Sequence, residues 1–90
     1  MRYSVLIDGE PGAYGVVFPD LPGCAAMGDT IEGALANAAD ALRDGIAVVE
    51  ERGGAVPPPR PLEALRADPD VARALSEGAS LAELRDLRAR

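Results

Sequence analysis

Three kinds of side chain in this sequence could do chemistry: one thiol, carboxylates spread through the loops, and arginines near the C-terminal end. A cysteine attacks as its thiolate and usually needs a base to form it. The chain has no histidine to serve Cys24 in that way. Cys24 also opens a run of small apolar residues, Cys24-Ala25-Ala26-Met27, so it reads as a buried structural thiol. Ser4, Ser76 and Ser80 lack a base for the same reason, and Ser80 reads as a helix cap. Asp8, Asp20 and Asp29 lie in or near loops and could converge on a hard cation, which takes oxygen ligands. Each has a simpler role: Asp8 begins a turn, Asp20 occupies one, and Asp29 caps a helix. Gly23 and Gly28 are too far apart for a phosphate loop. The helix start at Gly28-Asp29-Thr30 could hold an anion, but the Asp29 carboxylate would repel a phosphate. Arg85, Arg88 and Arg90 in "LRDLRAR" could touch nucleic acid, yet Glu83 and Asp86 offset them and a solvated helix face explains them. The expectation is a protein without catalytic residues, without a metal and without a cofactor.

Composition points to the kind of partner instead. Ninety residues make one domain. With 48% apolar residues the chain can form a core, though a chain this short buries only roughly 60–65% of its unfolded surface. Homo-oligomerisation, most simply a two-fold dimer, is the expected remedy. The net charge is −6, and all the cations are arginine. Such a chain matches a polyphosphate backbone poorly, because that binding works by neutralising phosphates. It matches a basic protein well. A lone cysteine fits a reducing compartment. No apolar run approaches the ~20 residues that span a bilayer, and no basic-then-apolar leader opens the chain. A cytoplasmic protein without membrane contact is therefore expected.

The elements follow from periodicity. Residues 2–8 alternate, with Tyr3, Val5 and Ile7 on one face and Ser4, Leu6 and Asp8 on the other. "DGEPG" is a turn, and residues 14–18 form a second strand with Tyr14, Val16 and Phe18 together. "PDLPG" turns the chain into a short third strand, 24–27, which completes an antiparallel meander. Asp29, with Glu32 three residues on, has the spacing of a capping box. Ile31, Ala34, Leu35, Ala38, Leu42, Ile46 and Val49 then recur at helical spacing as far as Gly53-Gly54. "VPPPRP" is a stiff connector. Asp68 followed by Pro69 starts a short helix, and Ser80 to Glu83 repeats the capping-box spacing ahead of Leu81, Leu84 and Leu87. Residues 79–84 could instead be a fourth strand if tertiary context overrides the helical signal. Residues 1–60 are read as the main unit, with 61–90 as a short helical extension of the same domain.

The order of these motifs resembles a known family. A "Y-x-V" strand, "Y-x-V-x-FPDLPGC", "GDT-I-E-x-AL-x-NA-x-x-AL" and a proline cluster together are similar to the HicB-like antitoxins of bacterial toxin–antitoxin systems. The resemblance covers residues 1 to about 60. It implies an α+β, truncated RNase H-like fold: a three-stranded antiparallel meander with one long helix packed on it, often with a short fourth strand added later. It implies no catalysis, and it implies binding to a small basic HicA-like toxin that cleaves mRNA. Many members add a C-terminal DNA-binding module. Here "VARALSEGASLAELRDL" resembles only the opening two helices of a helix-turn-helix, so the sequence leaves operator binding open. The alternative is a stand-alone interaction or regulatory domain with no toxin partner.

A toxin that binds RNA presents cations, which an inhibitor meets with carboxylates. The expected partner surface is Asp20, Leu21 and Pro22 at the second turn, joined by Asp40 and Asp44 on the outer helix face. Leu21 is the expected anchor, an apolar tip held rigid between two prolines.

Overall fold

The computed structural model describes residues 2–85. Four strands form one antiparallel sheet in the order β3-β2-β1-β4. They are β1 (Arg2–Glu10), β2 (Ala13–Val17), β3 (Ala25–Gly28) and β4 (Ser80–Arg85). The long helix α1 spans Ile31–Glu51, and two short helices, α2 (Leu62–Ala67) and α3 (Pro69–Ser76), precede β4.

Turn chemistry sets the register of the meander. Glu10 pairs with Ala13 across Pro11-Gly12. Proline presets the first turn residue, and Gly12 takes the positive φ (93°) that the second requires. The stretch "FPDLPGC" is two turns in series. The Leu21 N–H donates to the Phe18 carbonyl (3.1 Å) and the Cys24 N–H to the Leu21 carbonyl (3.0 Å). Each turn carries proline at its second position, and Gly23 (φ 90°) completes the second turn. The Phe18 N–H closes the loop on the Cys24 carbonyl (3.3 Å).

The cap of α1 is Thr30, not Asp29. Thr30 has extended backbone, and its hydroxyl accepts the Gly33 N–H at 3.0 Å. Asp29 stands one residue too early to reach that N–H; its backbone carbonyl instead accepts from Gly12 of the first hairpin (2.8 Å). The roughly 1 kcal/mol that such a cap contributes therefore belongs to Thr30. Ala34, Ala38, Leu42 and Ile46 are the buried residues of α1. They pack on Tyr3, Val5, Ile7, Val16 and Phe18, one of the two strand faces that the alternation defines. Ile31, expected in the same stripe, is 45% exposed.

Of the two readings of residues 79–84, the fourth strand is the one that forms: the capping-box spacing at Ser80 does not start a helix, and those residues are β4, paired with β1 from Tyr3↔Leu84 to Ile7↔Ser80. Strand β1 buries five consecutive residues, Tyr3 to Ile7, and so needs a neighbour on each edge and cover on each face. In β4, Ala82 and Leu84 join the α1-side core while Leu81 meets Leu6 on the other side. That period of two overrides the helical propensity of Leu, Ala and Glu. The second half of the helix-turn-helix resemblance is lost with it. Leu87, Arg88 and Arg90 lie outside the described residues.

The sheet face away from α1 is covered over half its width. Helices α2 and α3 cover its β1–β4 half, burying Leu6 against Leu65 and Val71. Asp68 caps α3 by accepting from the Asp70 (2.9 Å) and Val71 (3.4 Å) N–H groups. The β2–β3 half stays open, with Val17 and Met27 exposed.

Candidate functional site

Where α1 crosses the edge of the sheet, an open cleft of about 480 Å³ lies between the helix and the β2–β3 loop. Leu21, Pro22, Gly23 and Cys24 from the loop, with Ala25 from β3, form one wall. Ala41, Asp44, Gly45, Val48 and Val49 of α1 form the other. The loop wall is stiff because both of its turns are proline-set. Two links hold the walls together. The Cys24 thiol donates to the Ala41 carbonyl (3.5 Å), and the Asn37 side-chain amide donates to the Met27 carbonyl of the edge strand (2.7 Å). Burial pushes the Cys24 thiol above its ordinary pKa, which lowers its thiolate fraction and slows its reactions without closing it to solvent.

The five residues chosen from sequence do not share one surface. Leu21 is a correction: it is 7% exposed and belongs to the main core, because its turn folds it under the sheet edge rather than presenting it as a tip. It forms part of the cleft wall. Asp20 is a second correction, 8% exposed and fully engaged. Its carboxylate accepts the Arg60 backbone N–H (2.8 Å) and the Arg60 Nε. Arg60 Nη1 reaches on to Asp68 (3.1 Å). One guanidinium thus ties the second turn, the proline connector and the α3 cap together. Hydrogen bonds to Asp20, then to Asp68, raise the pKa of Arg60. The Arg60 guanidinium, helped by the Asp70 and Val71 amides, holds the Asp68 carboxyl below its ordinary range. Pro22 is exposed on the cleft wall. Asp40 is exposed and pairs with Arg43 at 2.7 Å. Asp44 is exposed and lines the cleft. The structure therefore brings Leu21, Pro22 and Asp44 together, leaves Asp40 further round the helix, and makes Asp20 a fastening of the fold.

Sequence reasoning missed Arg60 and the small residues of the helix wall. Arg60 stands alone among prolines in "VPPPRP", where its pairing is invisible locally. Gly45 interrupts a run of helix formers, the one local signal of the cleft. A second, smaller depression of about 230 Å³ lies between β2 and α3, with Leu6, Val17, Pro19 and Asp70 among its residues. Among the described residues no group of His, Cys, Asp and Glu could hold a metal ion, and no helix is long and apolar enough to cross a membrane.

Comparison with known proteins agrees with this architecture. The family described as "HicB_like antitoxin of bacterial toxin-antitoxin system" matches residues 3–85. No curated protein matches. Among solved structures, a chain of a HicA3–HicB3 toxin–antitoxin complex superposes with a TM-score of 0.75 and 28% identity, over 94% of this chain and 96% of that one. The antitoxin HicB of Burkholderia pseudomallei gives 0.75 and 30% identity over 94% of this chain; the match spans only 62% of the Burkholderia chain. The separate N-terminal domain of that antitoxin gives 0.73 and 29% identity, over 94% of this chain and 96% of the domain. The chain belongs to the HicB-like antitoxin family of bacterial toxin–antitoxin systems.

Proposed function

We propose that this protein is the antitoxin of a two-component pair and neutralises a HicA-like, mRNA-cleaving toxin by covering its active surface, without itself catalysing a reaction. The observation that carries this reading is the near end-to-end similarity to a chain from a HicA3–HicB3 toxin–antitoxin complex. The charge of −6 supports it, since a ribonuclease must present cations to RNA and an acidic protein competes for them. The side of the molecule bearing Pro22 and Asp44 faces the toxin in this reading, with Asp40 at its margin and Asp20 acting indirectly by holding the loop. Residues 2–85 act as one unit, because β4 completes the sheet that carries the loop.

The test is co-expression. Inducing the HicA-like toxin from the adjacent reading frame is expected to arrest growth, and this protein is expected to restore it. Continued arrest with both proteins present at matching levels removes the proposal.

Self-association is part of the same reading. The apolar strip left open on β2 and β3, Val17 and Met27, is where two copies would meet. Light scattering at roughly tens of micromolar, a range that captures weak dimers, is expected to give twice the chain mass. A monomer there rules the dimer out.

A further inference from the structure

We infer that the α1–loop cleft is a socket for a basic partner segment: an apolar side chain enters between Gly45 and Pro22, and an adjacent arginine or lysine pairs with Asp44. This rests on the antitoxin reading and specifies how the partner is held.

The first support is a cost that folding does not explain. Gly45 sits inside a 21-residue helix. Glycine there is less favourable than alanine, because it loses more backbone freedom on folding. A close helix–strand contact would justify it, but none exists. A Cβ on Gly45 would meet only the Cys24 sulfur, at 3.6 Å, an ordinary contact. Gly28 is the contrast, since a Cβ there would lie 2.4 Å from the Ala34 nitrogen. The absent side chain at Gly45 instead keeps the cleft open, with Ala41 and Ala25 on either side.

The second support is charge. Among the described residues Asp44 is the only carboxylate lining the cleft. Asp40, one turn earlier, is neutralised by Arg43. Asp44 has no ion-pair partner among the described residues, so its charge is available to a cation from outside. An apolar seat with one free carboxylate at its rim selects an apolar residue next to a cationic one. It disfavours an acidic segment and a second copy of this −6 chain. The third support is rigidity: with both turns of the loop wall proline-set, little order is lost when the seat fills.

Cys24 lines the cleft and is the only cysteine, so it reports occupancy directly. The probe is the adjacent HicA-like toxin with its catalytic histidine replaced by alanine. Bound toxin is expected to slow maleimide labelling of Cys24 by about tenfold or more. Asp44→Arg and Gly45→Leu, each checked by circular dichroism, are expected to weaken toxin binding by about tenfold or more, as loss of a seated charge or blockage of a seat does. Gly45→Ala is expected to raise the melting temperature, because alanine is the better helix former. If toxin binds the wild type but Cys24 labels as fast as before, or both variants bind within about twofold of it, this inference is wrong and the antitoxin reading stands. If the wild type binds no toxin, both are wrong.

Discussion

Gly28→Val is expected to lower the free energy of unfolding by about 3 kcal/mol or more, at the top of the range for overpacked sites. The backbone conformation at Gly28 is ordinary; what is missing is space. A Cβ there would lie 2.4 Å from the Ala34 backbone nitrogen and 2.7 Å from its Cα. Those atoms belong to the first turn of α1 and cannot rotate away as a side chain would. Either the helix lifts from β3 or the strand bends. Both strain the Asn37–Met27 hydrogen bond and part Ala34 and Ala38 from the sheet. Gly28→Ala already carries the offending atom and should cost a large share of the same loss. Urea denaturation measures both. A change below about 1 kcal/mol at Gly28→Val would mean that helix and edge strand are not in this close contact.

Leu42→Ala is expected to cost about 2–5 kcal/mol, the range for deleting a buried leucine and leaving a cavity. Leu42 is 1% exposed at the middle of α1, in the core cluster that contains Tyr3, Val5, Val16 and Phe18. The surrounding backbone is held by strand pairing on one side and by the helix on the other, so the cavity cannot easily collapse. Ala39→Ser, on a half-buried position of the same helix, is the control and should change stability far less. A loss below about 1 kcal/mol at Leu42→Ala would show that Leu42 is not a core residue.

The local elements of this protein were written in its sequence, and so was the family. The alternation grouped Tyr3, Val5 and Ile7 on one face of β1 and Ser4, Leu6 and Asp8 on the other, and the structure places α1 over the first group. Pro11-Gly12 and the two proline turns of "FPDLPGC" set the meander because turn geometry depends on residues two or three apart. The recurrence of Ala34, Ala38, Leu42 and Ile46 specified the buried side of α1 for a similarly local reason. Tertiary structure decided what depends on distant residues. Ser80-Leu81-Ala82-Glu83 reads as the start of a helix and becomes a strand because β1, far away in the chain, has an unpaired edge and two faces to bury. Asp20 reads as a surface carboxylate and becomes buried because Arg60, beyond the long helix, brings its backbone N–H and guanidinium to it. Leu21 reads as an exposed tip and becomes core because its turn folds beneath the sheet edge. The cleft exists only once α1 lies beside the β2–β3 loop, which makes Gly45 and Asp44 neighbours of Pro22. Periodicity reports which face of an element is apolar; which partner covers that face, and where cover is missing, is settled by packing between residues distant in the chain.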